Sequence, residues 1–293
     1  MKILLTGKHG QVGFELQRAL APLGAVIAVD HQDCDLADPD AIRRLVRDLK
    51  PDVIVNPAAY TAVDKAESDH DTAFAVNAVA PRVFGEEGAA LGALVVHYST
   101  DYVFDGCAPG AYREADTPNP QSVYGASKLA GEQALATSGA RHLIFRTSWV
   151  VGAHGNNFAK TMLRLAADRD TLGVVADQWG APTSAALLAD VTAQLIRQAS
   201  RENDFPYGLY HLAAGGETNW HAYACYVIEA ARQAGKPIKV APAAIQAITT
   251  ADYPTPAQRP ANSRLDTRKL RDTFGLCLPD WRVGVDHILQ QIL

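Results

Sequence analysis

Short apolar runs alternate with helix-period segments along most of the chain. Residues 3–6 form an unbroken apolar run ending in Thr6 and predict a buried strand. Residues 11–20 carry apolar side chains at helical spacing and predict a helix, closed by Pro22 and Gly24. A second strand is expected at 26–29, ending on Asp30. Asp38-Pro39 opens a further helix to about Leu49, with proline at a favourable first position. A third strand covers 53–56, and a long helix spans about 73–91, interrupted in pattern at Pro81. Strands at 93–98 and 143–146 follow, then a helix at 187–198 and a strand at 209–212. Strands alternating with helices of this length imply right-handed crossovers and a parallel sheet. The expected fold class is therefore α/β, a Rossmann-type doubly wound parallel sheet with a smaller mixed α/β domain. The sheet domain should occupy 1–147, rejoined at about 183–217, and the smaller domain 148–182 and 218–293. Five prolines between Pro237 and Ser263 make long helices improbable there and favour loops over a cleft.

Composition narrows the classes. The chain has 293 residues and a net charge of −5, with both signs interspersed and no basic tract longer than Arg43-Arg44. Nothing suggests a nucleic-acid footprint. The four cysteines (Cys34, Cys107, Cys225, Cys277) form no C-x-x-C pair and read as free thiols of a reducing compartment. The apolar start is too short for a signal peptide, and no stretch reaches the length of a membrane span. A cytoplasmic protein is expected.

The turn after the first strand reads Gly7-Lys8-His9-Gly10-Gln11-Val12-Gly13. Glycine permits the tight turn, lets the backbone approach a pyrophosphate and packs the helix closely on the sheet. The helix N-terminus supplies free N–H donors to phosphate. Asp30, at the end of the second strand, is placed to accept from an adenosine ribose. Its charge disfavours a 2′-phosphate and leans towards NADH, a preference that His31 softens. Asn56-Pro57-Ala58-Ala59-Tyr60-Thr61 follows the third strand like the segment that runs beneath such a cofactor.

Tyr124 and Lys128 stand four residues apart, on one face of a helix. Ketone reduction needs a hydride at carbon and a proton at the developing alkoxide. A tyrosine supplies that proton, and a neighbouring ammonium favours its phenolate. Upstream, Tyr98-Ser99-Thr100-Asp101 ends the fourth strand, and the Thr100 hydroxyl offers a second donor to the same oxygen. Gly125-Ala126-Ser127-Lys128-Leu129 lacks the second glycine of a hydrolase elbow, and the histidines form no zinc motif. His97, inside an apolar strand, reads as a packed core residue.

The G-x-x-G-x-x-G spacing resembles the short-chain dehydrogenase pattern. Residues 96–104 (VHYSTDYVF), 145–150 (FRTSWV), 155–162 (GNNFAKTM), 177–183 (DQWGAPT) and 259–265 (RPANSRL) resemble the dTDP-4-dehydrorhamnose reductase family of the extended short-chain dehydrogenase/reductase superfamily. The likeness extends from residue 1 to about 285. It implies reduction of the 4-keto group of dTDP-4-dehydro-L-rhamnose by NADH or NADPH, the last step of dTDP-rhamnose synthesis. Tyr124 would donate the proton, Thr100 would support it, and Lys128 would hold the nicotinamide ribose. By the same resemblance Thr100, Asp101 and Trp149 meet the sugar. Gly10, Gln11, Val12, Asp30, Asp35, Leu36, Ala59, Tyr60, Thr61 and Tyr98 line the cofactor alongside Gly7 and Gly13. Asn157, Lys160 and Arg259 are candidates for the nucleotide diphosphate.

Relatives divide on a few positions. A 4,6-dehydratase carries Thr-Asp-Glu where this chain has Thr100-Asp101-Tyr102, so the elimination machinery is incomplete. A 4-epimerase or another ketoreductase uses the same tyrosine and lysine, and non-catalytic relatives act as regulatory subunits, for which an intact trio has no use. Some family members dimerise through a metal held by glutamates. Glu15 matches one of these, but the later position falls at Ala185-Ala186 and the chain ends Gln290-Gln291-Ile292-Leu293. No metal site and no Mg²⁺-bridged dimer are expected, which leaves a monomer or weak homodimer.

Overall fold

The computed structural model describes all 293 residues. The chain runs β1 (Lys2–Leu5), α1 (Gln11–Leu20), β2 (Ala25–Ala28), α2 (Pro39–Leu49), β3 (Val53–Asn56), α3 (Val63–Ala66), α4 (His70–Phe74), α5 (Ala80–Leu91) and β4 (Leu94–Thr100). It continues with α6 (Val123–Ala136), β5 (Arg141–Thr147), β6 (Val150–Val151), α7 (Phe158–Asp168), β7 (Leu172–Val175), β8 (Trp179–Gly180), β9 (Thr183–Ser184) and α8 (Ala185–Ala199). The last elements are β10 (Gly208–His211), β11 (Thr218–Asn219), α9 (Trp220–Gln233), β12 (Ile245–Ile248), α10 (Arg268–Phe274) and α11 (Trp281–Ile292).

Six strands form one parallel sheet in the order β10-β5-β4-β3-β1-β2. Its strands are buried on both faces, which explains the unbroken apolar runs. Leu16 and Leu20 of α1 and Leu188, Val191 and Leu195 of α8 cover one face. Ile42 and Val46 of α2, Val83 and Phe84 of α5 and Leu135 of α6 cover the other. Strand order reverses between β1 and β3, so their carboxyl ends open a crevice, the general binding place of such sheets. The remaining strands make three two-stranded pairs, β6 with β9, β7 with β12 and β8 with β11. Around them α7, α9 and α11 build two further apolar clusters centred on Tyr223, Trp281 and Ile228. No helix is long and apolar enough to cross a membrane.

The helix expected at 73–91 is in fact three pieces. One π turn, Ala75–Val79, separates α4 from α5, and Pro81 sits in the first turn of α5, where its missing N–H costs nothing. The hydrophobic period signalled one long helix because a π turn adds a residue without ending the apolar stripe. α9 and α11 are regular helices in the half that looked irregular; both start on a side-chain cap, Asn219 and Asp280. Between Pro237 and Ser263 only β12 and two short 3₁₀ turns form.

α6 lies directly on backbone at two points. A Cβ on Gly125 would come 2.2 Å from the Tyr102 carbonyl oxygen, and one on Gly131 would come 2.1 Å from that of Asn77, in the π turn. Alanine in a helix interior normally improves stability by about 1 kcal/mol over glycine. Gly131→Ala is expected to reverse that sign, because the methyl group must push α6 off the π turn, destabilising by at least about 2 kcal/mol. Denaturant unfolding measures it, and a neutral or stabilising result would show that the contact yields freely.

Candidate active site

The crevice opens into a cavity of about 620 Å³ at the carboxyl ends of β1, β2 and β3. Gly7, Gly10, Asp30, Asp35, Leu36, Ala59 and Tyr60 of the expected cofactor set line it, together with Thr6, His9, Cys34 and Ala58, which sequence reasoning did not single out. Gly7 has φ +64°, and a Cβ at Gly13 would stand 2.0 Å from the Gly7 carbonyl oxygen. α1 therefore starts tight against the turn. Its first turn has no side-chain cap, so the N–H groups of Gln11, Val12 and Gly13 point out unsatisfied. A diphosphate fits that arrangement.

Asp30 is not the isolated carboxylate that the sequence suggested. Its Oδ2 lies 3.2 Å from Lys8 Nζ and 3.0 Å from His9 Nε2. Burial opposes its charge, but the hydrogen bonds from Lys8 and from the Gln32 and Asp33 amides win and bring it down to about 2. His31 turns instead to Asp35, at 3.6 Å. Lys8 lies closer still to Asp33, at 2.6 Å, so the lysine is shared between two carboxylates and softens the lean against a 2′-phosphate without removing it.

Tyr60 is held by Asn77, whose side chain accepts from the Tyr60 N–H at 2.8 Å and donates to its carbonyl at 3.1 Å and to Ser127 Oγ at 3.0 Å. The π turn is what carries Asn77 to this position; a broken helical period was its only trace in the sequence. Thr61 is exposed beside it. The Tyr98 phenol points away from the cavity and bonds Thr192 at 2.6 Å in the core, so Tyr98 contributes its carbonyl rather than its ring.

That carbonyl receives Lys128 Nζ at 2.6 Å. Lys128 is 2% exposed, and burial pushes its ammonium down to about 7, with Glu132 opposing. Tyr124, one turn earlier on α6, is half-buried. Desolvation raises its phenol to about 12, the nearby Thr100 hydroxyl works against that rise, and the Asp101 charge adds to it. The sequence led us to expect the lysine charge to lower this phenol. The structure differs because Lys128 is itself driven towards neutrality and its Nζ meets the Tyr98 carbonyl and His97 Nε2, 3.3 Å away, rather than the phenol. Thr100 Oγ1 also donates to Asp101 Oδ1 at 3.1 Å, while Asp101 Oδ2 is buried with no partner at hydrogen-bond distance. Tyr102 meets the Tyr124 ring edge-on at 5.5 Å.

Trp149 adopts φ +49°, held by stacking on Trp220 at 3.6 Å and by Gly180, which leaves room for its ring. The three diphosphate candidates are engaged elsewhere. Asn157 caps α7 and bonds Gln11 Oε1 at 3.0 Å, and Lys160 Nζ bonds the Ala153 and Gly155 carbonyls. Arg259 pairs with Asp64 at 2.7 Å but keeps a buried Nη1 without a partner. Glu15 pairs with Arg18 at 3.2 Å, and no cluster of three metal-binding side chains exists.

Asp101 ionises at about 6, above its ordinary 3.8, because burial outweighs the Ser263 and Thr100 hydroxyls. A raised carboxyl means that the folded state holds its proton longer, so its contribution is fully present below the ordinary value and is lost as pH rises through 6. Asp101→Asn is therefore expected to stabilise the protein by about 2 kcal/mol above neutrality, by roughly half as much near pH 5 and by little below about pH 4. Thermal melts across that range test it; an equal gain at both ends would refute a buried charge as the cause.

Three comparisons place this geometry. The family model described as "RmlD substrate binding domain" matches residues 1–293. The dTDP-4-dehydrorhamnose reductase of Shigella flexneri is 53% identical, covering 100% of this chain and 98% of that protein. Solved dTDP-4-dehydrorhamnose reductases from Clostridium acetobutylicum (38% identity, TM-score 0.90) and Bacillus anthracis in complex with NADP (34%, TM-score 0.89) each cover 99% of this chain and are themselves covered to 99%. With the glycine turn, the Thr100–Tyr124–Lys128 set and a full-length match, the chain belongs to the dTDP-4-dehydrorhamnose reductase family.

Proposed function

We propose that this protein reduces the 4-keto group of dTDP-4-dehydro-L-rhamnose to dTDP-L-rhamnose with NADH or NADPH, as the final step of dTDP-rhamnose synthesis. The observation that carries the reading is the Tyr124 phenol beside the Thr100 hydroxyl, with Lys128 buried one turn along α6. The Gly7–Gly13 turn and the cavity beyond it would hold the cofactor, and the uncapped start of α1 would take its diphosphate. The related Bacillus anthracis reductase is solved in complex with NADP, which supports acceptance of either nicotinamide nucleotide. When bound, the reduced nicotinamide supplies a hydride to the carbonyl carbon.

The chain supplies everything else. Tyr124, kept protonated by its surroundings, presents its O–H to the ketone oxygen and gives up the proton as the alkoxide forms. Thr100 shares the negative charge at the same oxygen. Lys128 holds the nicotinamide ribose with the N–H that Tyr98 leaves free. Asp101 faces the sugar, and the Trp149–Trp220 stack forms a flat apolar wall for it. Tyr102 occupies the position at which a dehydratase carries its second acid, so the sugar is reduced and not dehydrated.

We assign residues 1–147 and about 183–217 to cofactor binding and 148–182 with 218–293 to the substrate, a division supported by β10 adding to the sheet edge. The substrate is a dTDP-sugar, and the protein works in the cytoplasm as a monomer or weak homodimer. Free cysteines and the pairing of Glu15 with Arg18 support these assignments.

Tyr124→Phe is expected to lower turnover by about 10²–10⁴-fold while leaving NADH binding nearly unchanged. Lys128→Ala should weaken both. Oxidation of reduced nicotinamide, measured with dTDP-4-dehydro-L-rhamnose generated in place, reads out both variants. A fully active Tyr124→Phe would remove Tyr124 as donor; an inactive wild type that still binds NADH would remove the reaction.

A further inference from the structure

One buried titratable side chain has no part in that reaction. His97, in the middle of β4, is 1% exposed; its Nδ1 lies 3.2 Å from Asn56 Nδ2 on β3 and its Nε2 3.3 Å from Lys128 Nζ. Asn56 Oδ1 lies 2.6 Å from Thr6 Oγ1, which accepts the Ala58 N–H. Thr6 lines the cavity. Thr6, Asn56, His97 and Lys128 thus form one line of hydrogen bonds that crosses the sheet from the cavity wall to α6.

The bond lengths give its direction. A separation of 2.6 Å is an O–H···O length and is short for N–H···O, so the Thr6 hydroxyl donates to Asn56 Oδ1. The Asn56 amide nitrogen, which can only donate, then faces His97 Nδ1, which must accept. Burial holds His97 well below its ordinary range, so the ring is neutral and its single proton sits on Nε2. An ammonium has no lone pair with which to receive that N–H.

We infer that the line Thr6–Asn56–His97 sets the direction of the hydrogen bond at Lys128, so that the amine accepts from His97 Nε2–H while donating to the Tyr98 carbonyl, and rests as the free base. His97 is a positioning residue acting through Lys128. The charge facing Lys128 from its own helix is Glu132, which favours the ammonium but is held bidentately by Arg146 of β5 at 2.6–3.2 Å. Facing His97 there is only Lys128, since Tyr98 turns to Thr192. The consequence for turnover rests on the proposed role of Tyr124. A free amine at Lys128 adds no positive charge to favour the phenolate, so Tyr124 stays protonated until it donates.

The tautomer is read directly by ¹⁵N NMR of the full-length protein carrying ring-labelled histidine, with the His97 signals assigned by their loss in His97→Gln. Protonated Nε2 and bare Nδ1 are expected across neutral pH; the opposite tautomer or an imidazolium overturns the inference. Asn56→Asp can only accept from His97 and should reverse the line, switching the ring to Nδ1–H. The Lys128 titration, followed by its side-chain carbon shifts, should then rise by at least about one pH unit, a tenfold gain in proton affinity. In Asn56→Asp/His97→Leu the rise should largely vanish; an equal rise in both backgrounds would be a direct charge effect and would overturn the relay. None of these readouts needs turnover, so an enzyme inactive on the keto-sugar refutes the proposed reaction and leaves the tautomer to stand or fall alone.

Discussion

The docking of α6 on bare backbone is the constraint on which the site depends. Gly125 and Gly131 let the helix rest on the Tyr102 and Asn77 carbonyls with no side chain between. Contacts of this kind cannot be adjusted by a rotamer change, so α6 has essentially one position. Tyr124 and Lys128 inherit that position, and Ser127 between them meets Asn77, which in turn holds Tyr60 at the cavity. The loop after β4, the π turn and the catalytic helix are therefore one rigid unit, and the cofactor crevice borders it.

Inside this unit charge is kept scarce and directed. The Arg146–Glu132 pair, each under 5% exposed, is matched by two-pronged hydrogen bonding, as a buried pair must be. Lys128 has no such partner and is driven towards its neutral form, and Asp101 towards its protonated one. Neither arrangement serves stability. Groups held so near their own neutralisation are typical of places where protons move.

The sheet was legible because parallel strands buried on both faces leave continuous apolar runs, and the glycine turn because its chemistry is local. The Tyr124/Lys128 pair was legible as a spacing, but its electrostatics were not: burial, which no spacing records, reverses the expected effect of the lysine on the phenol. His97 was rightly read as buried, yet its contact with Lys128 joins β4 to α6 across thirty-one residues and leaves no pattern. The partners of Asp30 were missed for the opposite reason. Its partners Lys8 and His9 are adjacent in the quoted motif, but only the turn at Gly7 shows that they fold back on it. Asn157, Lys160 and Arg259 share a chemistry suited to diphosphate, and side-chain type alone could not reveal that neighbours already claim most of it.

Trp149 carries a left-handed backbone that a bulky residue adopts only under compulsion, and its compulsion is the face of Trp220. Two indoles stacked at 3.6 Å with 15° between their planes are electronically coupled. They join the segment after β5 to α9 within the part assigned to the substrate, in the wall proposed to face the sugar. The pair is thus a built-in optical gauge. Any rearrangement of that wall unstacks the pair and alters near-ultraviolet dichroism and emission, so it can be watched without a label.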